Sequence, residues 1–114
     1  MLWIISYINK PLTENINAIR RRVQQSHRDY VKSRKGILVL CGPKQSDDGT
    51  EIIGALFIIN VNSRSEAQAF ADGEPYTHAG LRKSVTITRM RVAQLNPEVM
   101  KDEYVAVPEV CGHS

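Results

Sequence analysis

The 114-residue chain has few of the residues that mark special environments: two cysteines, one tryptophan and two phenylalanines, with aromatics at 6%. Cys41 and Cys111 do not form a CxxC pair. In a reducing cytosol both are expected to be free thiols, Cys41 as a small core residue at the end of an apolar run. Long hydrophobic runs are missing too. Residues 52–61 form one of the longest, and Gly54 and Asn60 break it, so no segment is long enough to span a bilayer. The N-terminal Met1-Leu2-Trp3-Ile4-Ile5 lacks the basic leader and cleavage site of a signal peptide, which makes a cytoplasmic location the expectation. Charge of one sign is also scarce. The formal net charge is +3, far from the dense basic stripe of a nucleic-acid binder. The run Arg20-Arg21-Arg22 reads as a solvated helix face. There is no Ser-His-Asp motif, and Gly42-Pro43-Lys44 lacks the rest of a P-loop.

What remains has a regular order. Leu2 to Ile8 is short, β-branched and aromatic, and reads as a strand closed by Pro11. Thr13 or Asn15 can cap the helix that follows. On it Ile16, Ile19, Val23, Tyr30 and Val31 recur with helical spacing, and Gly36 suits a left-handed cap at its end. Ile37 to Cys41 is a second strand, and Gly42-Pro43 opens a polar loop with a turn at Asp48-Gly49. Glu51 to Val61 is a third strand with apolar residues on both faces, the pattern of a strand covered on both sides. Ser63 and Glu66 have capping-box spacing at the start of a second helix, which carries Ala67, Phe70 and Ala71 and ends at Gly73. Ser84 to Val92 alternates as a fourth strand.

The order strand, helix, strand, strand, helix, strand is the split βαβ arrangement, an α+β ferredoxin-like fold. Its helices cover one sheet face only. A second copy packed sheet to sheet would cover the other, so a homodimer is expected. Residues 1–92 form the single domain and residues 93–114 an extension, in which Pro97, Pro108 and Gly112 argue against a regular element.

One residue breaks the helical stripe. His27 stands on the apolar face of the first helix, where Leu or Val is expected. Its plain role would be that of a core histidine satisfied by hydrogen bonds. Its chemical role would be to move protons near neutral pH. Arg20, two turns earlier, lies on nearly the same side, and a cation there suits an anionic substrate. Ser26 makes the neighbourhood polar. Glu74 follows Gly73 and precedes Pro75, so it can cap a short turn made by Tyr76 to Ala79. His78 stands four residues on, over Glu74. A carboxylate that meets an imidazole orients it and stabilises its protonated form, which makes a general acid/base pair. A metal set of His27, His78 and Glu74 finds no support elsewhere in the sequence, and Cys111-Gly112-His113 offers too few ligands for a closed site. Neither a metal nor a cofactor is expected.

These positions resemble the YCII-like proteins. The features are His27 on the first helix, Gly42-Pro43 after the second strand, Gly54 in the third, and Glu74-Pro75-Tyr76 with Ala79-Gly80 after the alanine-rich second helix. The resemblance covers roughly residues 2–92. It implies a dimeric α+β barrel in which two ferredoxin-like units pack sheet against sheet. It also implies a His-Asp dyad in a cleft, carried here by His27 and Glu74, with Glu where the family usually has Asp. Members include dehydrochlorinases of chlorinated hydroxyhydroquinones in aromatic degradation, and related barrels include muconolactone isomerases and metal-free monooxygenases. The expectation is a cofactor-independent lyase or isomerase acting on an anionic aromatic or lactone-type small molecule. In it His27 and Glu74 are catalytic, and Arg20, Tyr76 and His78 bind substrate. The alternative is a ligand-binding or interaction module that keeps the fold without the chemistry.

Overall fold

The computed structural model describes residues 1–103. It contains β1 (Leu2–Asn9), α1 (Glu14–Ser33), β2 (Leu38–Gln45), β3 (Ile52–Asn60), α2 (Arg64–Gly73), a one-turn α3 (Pro75–His78), β4 (Arg82–Met90) and a 3₁₀ turn at Pro97–Met100. The strands make one antiparallel sheet in the order β2-β3-β1-β4. This is the expected ferredoxin-like α+β fold, with the sheet's first strand at its centre.

The core lies between the sheet and its helices. Trp3, Ile5 and Tyr7 of β1 and Ala55, Phe57 and Ile59 of β3 alternate inward and meet Val31, Ala67, Phe70 and Ala71. Phe57 sits edge-on to both Tyr7 and Phe70, with ring centroids 6.0 and 5.4 Å apart, an arrangement that contributes beyond area burial alone. β1 is read twice, from β3 and from β4, so its alternation fixes the register of three strands at once. Gly54 is required at its place: a Cβ there would lie 2.1 Å from the Tyr7 carbonyl oxygen.

Helix starts follow the sequence signals. The Thr13 hydroxyl accepts from the Ile16 amide at 3.2 Å. Ser63 accepts from the Glu66 amide at 3.2 Å, while Glu66 reaches back to the Asn62 amide at 2.7 Å, one residue further than the standard box. Helix α1 stops at Ser33, three residues before Gly36, and Gly36 has no left-handed backbone. Gly42-Pro43 is no loop. It lies within β2, which pairs with one neighbour only, and proline is tolerated on such an edge strand.

The second sheet face is open in the single chain. Leu2, Ile4, Leu56 and Ile58 are half-buried on it, and Ile8 and Leu40 are exposed. An apolar groove bordered by Leu40, Ile58, Met90 and Met100 runs where the extension leaves the sheet. The extension holds one 3₁₀ turn despite Pro97, because proline suits a first helical position. Cys41 is disulfide-bonded, which corrects the expectation of a free thiol. Pro108 and the Cys111-Gly112-His113 stretch lie outside the described residues. No helix among the described residues is long and apolar enough to cross a membrane.

Candidate active site

The short turn α3 builds the site. Glu74 closes α2 and caps α3: its Oε2 accepts from the Thr77 amide and the Thr77 hydroxyl, each at 3.0 Å. Pro75 fixes the first helical position, where the missing N–H costs nothing. Gly80, with φ of 78°, then turns the chain into β4 through a conformation that favours glycine. Capping holds the Glu74 side chain still and leaves its other oxygen facing α1.

There it meets His27. The His27 Nδ1 and Glu74 Oε1 atoms are in direct hydrogen-bond contact, and both side chains are fully buried. The two residues are 47 positions apart in sequence. The Tyr76 ring stacks on the imidazole at 4.2 Å with an interplanar angle of 17°. Tyr76 is buried, and its hydroxyl has no hydrogen-bond partner among the described residues.

The sequence reading passed over Arg82. It opens β4, two positions before the predicted strand begins at Ser84. Its guanidinium donates to Asn9 Oδ1 at 2.6 Å and lies 3.5 Å from Glu74 Oε1. It also sits over the rings of Tyr7 and Tyr76, at 4.6 and 5.2 Å from their centroids. The cue available in the sequence was weak: a lone arginine just before an alternating strand.

Burial alone would push the Glu74 carboxyl up. The His27 hydrogen bond, the charge of Arg82 and the Thr77 hydroxyl outweigh it, and the carboxyl lies below its usual range. Burial also pushes the Tyr76 hydroxyl up, partly offset by the charge of Arg20.

Arg20, Tyr76 and Arg82, with Asn9, Lys10 and Leu12, line a cavity of about 10 Å³, room for one water. A groove of about 640 Å³ adjoins it across Asn9, Lys10, Leu12 and Arg20 and brings in Ile8, Ile53 and Lys83. Tyr76 lines the cavity, and neither His27 nor Glu74 does. Of the expected site residues, the structure brings His27, Glu74 and Tyr76 together and places Arg20 in the lining of both the cavity and the groove. It does not bring in His78. That residue is exposed and borders neither cavity, and its backbone amide, donating to the Glu74 carbonyl at 3.1 Å, belongs to the α3 turn. Ser26 is exposed as well. Among the described residues no group of three or more His, Cys, Asp or Glu side chains could hold a metal ion.

A buried carboxylate-imidazole pair beside an arginine-lined cavity, on this fold, can be compared with known proteins. The 5-chloro-2-hydroxyhydroquinone dehydrochlorinase of Burkholderia phenoliruptrix, solved with 2,5-dihydroxybenzoquinone, is similar in fold, with a TM-score of 0.68 and 23% identity. The match covers 80% of this chain and 94% of that one. An antibiotic biosynthesis monooxygenase matches more loosely, with a TM-score of 0.47, 14% identity, and 82% and 100% of the two chains covered. No curated protein matches the sequence. The model of the YCII-related domain matches residues 1–91, which takes in every strand of the sheet and every member of the site, and the chain belongs to that family.

Proposed function

We propose that the protein is a cofactor-independent lyase that removes a hydrogen halide from an anionic aromatic ring, most concretely a chlorinated hydroxyhydroquinone. The observation that carries the reading is the buried contact between His27 Nδ1 and Glu74 Oε1. A carboxylate on Nδ1 fixes the ring orientation and assigns proton exchange with a ligand to Nε2. In the keto tautomer of such a ring the halogen sits on a tetrahedral carbon. His27 takes the proton of a ring hydroxyl, the released electron pair moves through the ring, and the halide leaves with the pair of its carbon-halogen bond. The balance is loss of one proton and one halide, with nothing oxidised or reduced from outside. Arg20 attracts the phenolate from the cavity lining. The buried Tyr76 hydroxyl donates to the oxygen on which charge develops.

The Tyr76 ring stacks on His27 and lines the cavity, which His27 itself does not border, so turnover requires Tyr76 to turn aside. That same feature favours a second reading, in which the pair is a structural core contact and the groove binds a ligand without reaction. A halide-release assay on chlorinated hydroxyhydroquinones separates the two. The lyase reading expects chloride release that His27→Asn lowers by about 10²–10⁴-fold. Release that is unchanged in a folded His27→Asn variant would leave the binding module.

The homodimer belongs to the same proposal. The half-buried apolar strip on the open sheet face needs cover, and a second copy supplies an equally apolar strip in matching geometry.

A further inference from the structure

We propose that Arg82 is the positioning residue of the dyad: it shares Glu74 Oε1 with His27, lowers the pull of the carboxylate on an imidazole proton, and supplies the charge that balances a bound anion. The inference deepens the lyase reading of the pocket and is tested apart from it.

Charge counting motivates it. A neutral imidazole on a buried carboxylate leaves one negative charge uncovered, and such a carboxylate draws a proton onto its histidine. A histidine already protonated is no base. With Arg82 present, Glu74 is covered before any proton arrives. Once His27 takes a proton from a ligand whose own negative charge faces Arg20, Arg82 and His27 stand against Glu74 and the newly deprotonated oxygen. Without Arg82 the same complex would carry an uncovered negative charge in a buried place, which is costly.

The geometry suits that task. The Arg82 side chain is 4% exposed, so its charge is little screened by water. Asn9 holds one terminal nitrogen at 2.6 Å and leaves the other facing Glu74 at 3.5 Å. Tyr7 and Tyr76 flank the guanidinium plane, a setting that an arginine fills and a lysine does not. Its Nε is buried with no partner among the described residues, and Arg82 lines the same cavity as Tyr76. Among the described residues, the other titratable groups that bear on Glu74 or Tyr76 are Tyr7 from β1, Tyr76 from α3, and Arg20, Arg28 and Tyr30 from α1. Among the described residues, the charges of Arg82 and His27 both lower the Glu74 carboxyl.

The test is ¹⁵N NMR of the His27 ring through a pH titration, in wild type, Arg82→Gln and Arg82→Lys, each checked for folding by its amide spectrum. Arg82→Gln is expected to move the titration midpoint of His27 up by about one pH unit, a tenfold change. Arg82→Lys is expected to move it less, because the charge is kept. A folded Arg82→Gln variant with an unmoved or lowered midpoint overturns the proposal, as does an Arg82→Lys shift equal to that of Arg82→Gln. If Arg82→Gln does not fold, wild type decides: the ring nitrogens should report a neutral, Nδ1-protonated imidazole at neutral pH, and a doubly protonated ring there overturns the proposal. The expected shift without any halide release would keep Arg82 in this role and remove the lyase reading alone.

Discussion

Glu74 Oε1 lies 3.5 Å from Arg82, which also donates to Asn9 at 2.6 Å, so the last residue of β1 and the first of β4 hold the carboxylate that faces α1. Asn9 and Arg82 are paired across the sheet at a register shift, where regular β1–β4 pairing ends. From that position Arg82 reaches Asn9, Glu74 and the Tyr76 ring. Sheet geometry, helix capping and the acid/base pair therefore meet at one carboxylate, and changes to that carboxylate should be felt in folding as well as in chemistry.

Glu74→Ala is expected to be among the most destabilising single substitutions in the chain. It removes the cap of α3 and leaves both His27 and Arg82 without their buried acceptor. Breaking a buried charged pair from one side costs about 3–5 kcal/mol. Glu74→Gln keeps the shape and the Thr77 cap and should cost less. Urea unfolding of both variants against wild type measures the difference, and equal losses would contradict the account.

The pH dependence has a definite sign. The Glu74 carboxyl titrates below its ordinary value of 4.5 when folded. A carboxyl lowered by folding contributes stability above its unfolded value and loses it as pH falls through the folded one. Stability should therefore fall with acid below about pH 4.5, and Glu74→Gln should flatten that fall. Thermal midpoints taken from neutral to acid pH check it. A wild type and a Glu74→Gln variant with parallel acid profiles would show that the carboxylate carries none of this dependence.

How much of this was legible beforehand follows the range of each signal. His27 interrupts a local helical stripe, and Glu74 precedes a proline within one turn. Both signals lie within a few residues, and the structure puts the pair in contact. Arg82 was not legible because its place depends on where β4 pairs with β1, 73 residues earlier in the chain. The same holds for Gly42-Pro43. Their turn propensity is local, and their strand placement comes from β3 alongside. His78 erred in the other direction: spacing of four suggests stacking over Glu74, but α3 is a single turn and the ring leaves it toward solvent.

Tyr76→Phe separates chemistry from packing. The Tyr76 hydroxyl is buried without a partner among the described residues, and a buried unsatisfied group costs stability. Removing it should leave the unfolding midpoint unchanged or raised. If the hydroxyl donates to a developing oxyanion, halide release should fall by about 10²-fold or more. Tyr7→Phe is the contrast, since the Tyr7 hydroxyl donates to the Ala71 carbonyl at 2.9 Å. That loss should cost about 1 kcal/mol. A Tyr76→Phe variant that is destabilised as much as Tyr7→Phe, with full activity, would mark Tyr76 as a packing residue.

Gly54→Ala tests the sheet beneath the site. An added Cβ would stand 2.1 Å from the Tyr7 carbonyl oxygen and 2.8 Å from the Lys44 Cε. The lysine chain can move, but the Tyr7 carbonyl belongs to the β1–β3 ladder, where Tyr7 pairs with Ala55 and Ile8 with Gly54. Relief requires the two strands to part next to Tyr7, whose ring supports Arg82. Loss of folded protein, or a large drop in urea midpoint, is the expected outcome. Gly42→Ala is the matched control, because a Cβ there meets nothing within 4 Å and β2 is an edge strand. Its midpoint should stay close to wild type. Equal behaviour of the two variants would mean that the contact with the Tyr7 carbonyl does not constrain the sheet.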